Sequence, residues 1–200
     1  MHIKTALTDF PILNLLRDRW SPRAFNTQAV EKEKLQGFFE AARWAPSASN
    51  LQPWRFIIGL KGDETYNKIA GTLVEFNQLW ALTAPVLILA VAKNTNQRGE
   101  PNVSALYDLG QSVAHLTIQA GADGLYVHQM GGFSSSQAAD LFEIPEDFSV
   151  ATAIAVGYIG NPEILPDNLK KMETTPRERR QPNDTVFAGT FGQATDIFNH

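Results

Sequence analysis

Arg43-Trp-Ala-Pro-Ser-Ala-Ser-Asn-Leu-Gln-Pro-Trp-Arg-Phe56 is the stretch on which the rest of this chain turns. Upstream of it, Val30, Leu35, Phe38, Phe39 and Ala42 recur at three- and four-residue intervals, which predicts a core-facing helix over about 29–45 capped by Asn26 or Thr27. Downstream, Trp54 opens an apolar run to Leu60 that reads as a strand, with Arg55 facing out. Pro46 and Pro53 both oppose helix, because proline lacks an N–H and fixes its own φ. Between them lie Ser47, Ser49, Asn50 and Gln52, short donors and acceptors on a constrained loop. Taken alone, such a loop is a connector rich in turn formers. Its polar edge nevertheless suits a flat ligand better than a core, and a second segment, Arg19-Trp-Ser-Pro-Arg-Ala-Phe25, tips the balance.

Together the two segments resemble the FMN-dependent nitroreductase family. Its members open with Arg-x-Ser-x-Arg/Lys-x-Phe and carry Pro-Ser-x-x-Asn-x-Gln-Pro-Trp one helix later. Both motifs stand here in order and at that spacing. The resemblance implies an α+β, nitroreductase-like three-layer fold: a mixed, mostly antiparallel sheet of about four or five strands flanked by helices. It implies one domain over residues 1–200 with an extended C-terminal arm from about 161, and an intertwined homodimer with FMN in each cleft between subunits. Hydride would pass from NAD(P)H to flavin N5. It would then go, by ping-pong, to a nitroaromatic, quinone or activated unsaturated small-molecule acceptor.

The same resemblance assigns roles residue by residue. Arg19 and Ser21 become phosphate ligands, since a guanidinium forks onto phosphate oxygens. Arg23 falls near flavin N1 and O2, where a cation stabilises the charge of the reduced ring. These residues would come from one chain and Pro46, Ser47 and Asn50 from the other, with Trp20, Ala48 and Gln52 in the same two motifs. Asn77 matches a position that offers an amide to the flavin's pyrimidine edge, and equally fits an ordinary helix surface. Three residues on, where some members carry lysine, this chain has Trp80, which leaves Arg23 more of the electrostatic work. Gly131 and Gly132 match a strand end whose backbone amides face N5 and O4, although many members have an acid where Gly131 stands. In Arg177-Glu-Arg-Arg-Gln-Pro182, Arg179 and Arg180 match a basic stretch that reaches the phosphate.

Composition sets the outer limits. The 200 residues are 44% apolar and 19% charged, a globular balance. A net charge of −4 argues against nucleic acid or a membrane surface as partner. The chain has no cysteine, hence no disulfide or thiolate metal site, and its four histidines show no paired metal spacing. The N-terminus carries no apolar run of signal-peptide length, and 84–92 is too short to span a bilayer, so a cytoplasmic location is expected.

Further elements follow from pattern. Residues 10–18 read as a short helix capped by Asp9, and 64–70 as a helix broken at Gly71. Helix is also expected over 73–82 and 134–142. Strands are expected at 85–92, 125–132 and 149–157, and 93–102 is a candidate flap. Residues 103–121 form the longest helix, apolar nearly all round, with His115 as a core or interface histidine. Beyond Pro162 the chain reads as an extended surface tail, ending in an edge strand over 185–191. A non-catalytic flavin-binding or storage module, or a reductase or dehydrogenase of this fold specialised for one metabolite, remain the alternatives.

Overall fold

The apolar run after Pro85 builds the centre of the molecule. In the computed structural model, which describes residues 4–198, it forms β2 (Val86–Lys93), buried along nearly its whole length. Strand side chains alternate between faces, and here both faces are covered. Leu87, Leu89 and Val91 join one hydrophobic cluster, while Val86, Ile88, Ala90 and Ala92 join another.

The sheet has the order β1-β2-β4-β3, with β1 Trp54–Leu60, β3 Tyr126–Met130 and β4 Phe148–Gly157. All three pairings are antiparallel, so the sheet is not mixed. β1 lies at an edge, which leaves Arg55 exposed and Phe56, Ile57 and Ile58 only half-buried. On one face pack α2 (Lys32–Arg43) and α5 (Ala105–Ala122), through Phe38, Ala42, Leu109, Val113 and Leu116. On the other pack α3 (Glu64–Thr72), α4 (Glu75–Ala81), α6 (Ser135–Leu141) and α7 (Asp167–Thr174). The result is the three-layer α+β arrangement.

Several boundaries differ from the sequence expectations. α1 is confined to Asn14–Asp18 and starts from Leu13 without a side-chain cap, so Asp9 caps nothing. Asn26 does not cap α2 either; its side chain accepts from the Gln28 N–H in a local turn, and α2 begins after Glu31. Gly71 does not break α3, which runs through it to Thr72. α5 is buried on one side only: Val103 before it, then Leu106, Tyr107, Gly110 and Ala114, stand exposed. His115 is on that open side, its Nδ1 2.9 Å from the Gln111 carbonyl, and is therefore no core residue.

The tail departs most. Residues 167–174 form a helix whose Leu169 and Glu173 are fully buried. No strand forms over 185–191; instead Phe187 makes an isolated antiparallel bridge to Ala194. His2 and His200 lie outside the described residues, and among those described no group of acids or histidines could hold a metal ion. Among the described residues no helix is long and apolar enough to cross a membrane.

Candidate functional site

The Arg19–Phe25 segment is fixed in place by its backbone. Phe25 bridges Ile159, Gly160 N donates to Ala24 O at 2.8 Å, and Asn26 N donates to Tyr158 O at 3.0 Å. The approach is close enough that a Cβ on Gly160 would sit 2.6 Å from the Phe25 carbonyl carbon, so only glycine fits there. His128 on β3 and Glu173 on α7 hold the same segment from its other sides. His128 Nδ1 lies 2.8 Å from Pro22 O, and the Glu173 carboxylate accepts from the N–H groups of Arg23 and Ala24.

Four arginines converge beside this segment. Arg19, Arg177, Arg179 and Arg180 line one cleft of about 630 Å³ together with the apolar Ala6, Phe10, Ile12 and Leu16 and two acids, Asp9 and Glu178. Arg19 Nη1 is 3.4 Å from Ser21 Oγ. Arg177 donates to the carbonyls of Arg17 and Arg19, which turns the tail back onto the early segment. Among the described residues, none of these four arginines forms a carboxylate ion pair. Burial, and then the neighbouring Arg179 charge, lower the Arg19 pKa; burial and the charges of Arg19 and Arg179 do the same for Arg177. Burial is the larger cause in both, and for Arg177 the charge of Asp18 opposes it in part; the guanidinium donors gathered here suit an anion.

Next to the cluster, Arg23 is half out of solvent, and burial lowers its pKa while the Glu173 charge opposes that effect. Its Nε and Trp20 Nε1 are buried without a hydrogen-bond partner, as is Arg177 Nε. Arg23 Cζ lies 5.9 Å from the ring of Trp80, which is fully buried and within 4.3 Å of the His128 ring. Burial pushes His128 down to about 4, despite the opposing bond to Pro22, so the ring is neutral at pH 7.

Trp80 Nε1 donates to Asn77 Oδ1 at 3.3 Å, and Asn77 Nδ2 donates to Gly132 O at 2.9 Å. Asn77 is thus no ordinary surface residue: it is buried and ties α4 to the double-glycine bend. Gly132 O also accepts from Val74 N at 3.1 Å, whereas Gly131 is exposed with open space around it. The structure therefore links Arg23, Trp80, Asn77 and Gly132 in one contiguous wall.

The Pro46–Pro53 loop lies elsewhere. Three of its non-glycine residues, Ser49, Asn50 and Gln52, hold φ values of 50°, 55° and 48°, in the left-handed region. Such strain persists only where surroundings over-determine the backbone. Here Gln52 N donates to Ser47 Oγ at 3.1 Å, Gln52 Nε2 to Asn50 Oδ1 at 3.0 Å, and Ala48 N to Asp108 Oδ2 at 3.0 Å. Asp108 is buried near the start of α5. Arg19 and Trp20, by contrast, share a second cleft with Thr117 and Gly121 near its end. The two motifs thus sit nine to thirteen residues apart along α5, about 14–20 Å at 1.5 Å per residue.

Residue patterns did not reveal Glu173, Arg177, His128 or Asp108. Arg177 was visible only as part of a charge run, and the buried acids carry no local signal, because their partners are backbone groups distant in sequence.

This architecture and these motifs define a nitroreductase-type oxidoreductase, and the chain belongs to the nitroreductase family. The model of that family matches residues 16–75, which span both motifs. A solved structure described as "the oxidoreductase containing FMN" is 35% identical, with a TM-score of 0.89 over 96% of this chain and 98% of that one. A nitroreductase family protein from Clostridium difficile 630 is 25% identical, with a TM-score of 0.69 over 88% of this chain and 96% of its own. YodC of Bacillus subtilis, provisionally assigned as an NAD(P)H nitroreductase, is 27% identical, covering 75% of this chain and 90% of its own.

Proposed function

We propose that this protein is an FMN-dependent NAD(P)H oxidoreductase whose site is shared between two copies of the chain. The observation that carries the proposal is the convergence of Arg19, Arg177, Arg179 and Arg180, none of them in a carboxylate ion pair among the described residues, beside the partnerless Nε of Arg23. A phosphate monoester supplies the matching negative charge, and a flat polar-edged ring accounts for donors left unpaired next to it. Bound FMN would supply the hydride chemistry, a ping-pong exchange between NAD(P)H and a nitroaromatic, quinone or activated unsaturated acceptor.

The chain's own residues bind, orient and polarise. Arg19, Ser21, Arg179 and Arg180 would hold the phosphate, with Arg177 fixing the tail that delivers two of them. Arg23, with Trp20 beside it, supplies positive charge and donors at the ring edge, where its cost of burial is offset as negative charge develops. The backbone at Gly131 and Gly132, its shape set by Asn77, would face the ring. No acid or base from the protein is needed for hydride transfer, and the neutral His128 serves to hold Pro22.

Pro46, Ser47, Ala48, Asn50 and Gln52 complete the site from the other subunit. The exposed side of α5 supports this pairing: Val103, Leu106, Tyr107, Gly110 and Ala114 form an apolar, small-residue stripe. Two such helices packed antiparallel about a two-fold bring the Asp108 end of one against the Thr117–Gly121 end of the other. That contact closes the 14–20 Å gap between the motifs.

Anaerobic addition of NADH or NADPH to FMN-loaded protein tests the reading. Loss of the flavin absorbance near the visible maximum, restored by a quinone or nitroaromatic, is the expected result. Protein that stays colourless after soaking in FMN would overturn it.

A further inference from the structure

Glu173 has no exposed surface, yet it is a carboxylate on a short tail helix. Burying an acid is strongly unfavourable unless its oxygens are satisfied. Its partners here are backbone amides: Arg23 N donates to Oε1 at 2.9 Å and to Oε2 at 3.0 Å, and Ala24 N donates to Oε1 at 3.0 Å. Among the described residues no cation lies within ion-pair distance of it, although Lys4 and Arg23 both feel its charge. An apolar side chain of similar size would pack at this point without the cost of desolvation. It would leave the buried Ala24 N–H and the part-buried Arg23 N–H unpaired in the segment that presents Arg23.

Four residues further on, Arg177 grips the same segment by its other polarity, donating to the carbonyls of Arg17 and Arg19. Lys4 Nζ, donating to Met172 O at 3.1 Å, adds a third tie between tail and N-terminal segment. The tail thus meets 17–24 with an acid on N–H groups and a base on C=O groups, and directly afterwards presents Arg179 and Arg180 beside Arg19.

We propose that Glu173 is a positioning residue of the anion site: its carboxylate fixes the backbone behind Arg23 and sets the tail arginines in register with Arg19. The proposal takes the ligand to be FMN, as argued above, but the clamp itself exists without ligand. The test compares Glu173→Gln, which keeps shape and one acceptor, with Glu173→Leu, which keeps volume and neither acceptor. Amide hydrogen exchange at Arg23 and Ala24 is read without flavin, and affinities for FMN and for riboflavin, which lacks the phosphate, by quenching of flavin fluorescence.

The clamp predicts faster exchange at both amides in Glu173→Leu, and a discrimination between FMN and riboflavin reduced by about tenfold or more, with Glu173→Gln between it and the parent. A role in packing alone would lower affinity for both flavins equally, and an unchanged FMN-to-riboflavin ratio overturns the proposal. Should Glu173→Leu not fold, Glu173→Gln decides, since a parental ratio and parental exchange in that variant are equally fatal. Parent protein that binds neither flavin would sink the FMN assignment, while the exchange rates would still report on the clamp.

Discussion

The bend at Gly131–Gly132 offers two chemically identical perturbations with opposite expected outcomes. In Gly132→Ala the new Cβ would sit 2.6 Å from Asn77 Nδ2 and 3.0 Å from Val74 Cγ2. Asn77 cannot simply step aside, since its amide donates to Gly132 O at 2.9 Å and accepts from Trp80 Nε1 at 3.3 Å. Forcing extra volume into packed surroundings costs roughly 1–3 kcal/mol. Losing one buried hydrogen bond costs about 1 kcal/mol more. A total of roughly 2–4 kcal/mol lowers Tm by about 5–15 °C in a chain of this size. Gly131→Ala meets nothing within 4 Å and should stay within about 0.5 kcal/mol of the parent. Thermal unfolding of the two variants in parallel, with and without FMN, is the assay. Equal Tm values for Gly132→Ala and Gly131→Ala would refute the claim that Asn77 and the glycine bend form one packed unit.

Three further outcomes are expected. Arg23→Ala should lower the reduction potential of bound flavin and slow its reduction by NAD(P)H; unchanged potential and rate would remove the electrostatic role given to Arg23. His128, held at about 4 against an unfolded value near 6.5, leaves the unfolded chain binding more protons between those pH values. Stability should therefore fall as pH drops through that window, by about 2 kcal/mol between pH 7.5 and 5. In urea unfolding this component should vanish in His128→Phe, and an identical pH slope in the variant would contradict it. Tyr107→Asp, placing a charge on the open stripe of α5, should yield monomers with little FMN affinity. Sedimentation showing an intact dimer would remove the stripe from the interface.

What the sequence revealed, and what it hid, follows from where each signal resides. β2 and the two ends of the 43–56 stretch were legible because their periodicity comes from local burial on one or both faces. The arginines of 19–23 were legible through the motif, and the structure sets Arg19 beside Arg179 and Arg180. α7 was not legible, since a helix of eight residues with two buried side chains has too short a pattern to rise above a charged tail. Asn77 was ambiguous because both its amide partners, Gly132 O and Trp80 Nε1, are set by tertiary packing. Glu173 and Asp108 were invisible for a related reason: each satisfies backbone N–H groups 60 or more positions away, and backbone groups leave no mark on the sequence.

The shared site is tested most directly by mixing two disabled chains. Arg19→Glu spoils the arginine cluster and Ala48→Trp fills the loop, so each variant alone should bind almost no FMN. Dimers carrying one chain of each, isolated by two different tags, should recover about one FMN per mixed dimer, since a two-fold arrangement pairs the intact cluster of one chain with the intact loop of the other. Mixed dimers as empty as either parent would contradict the account.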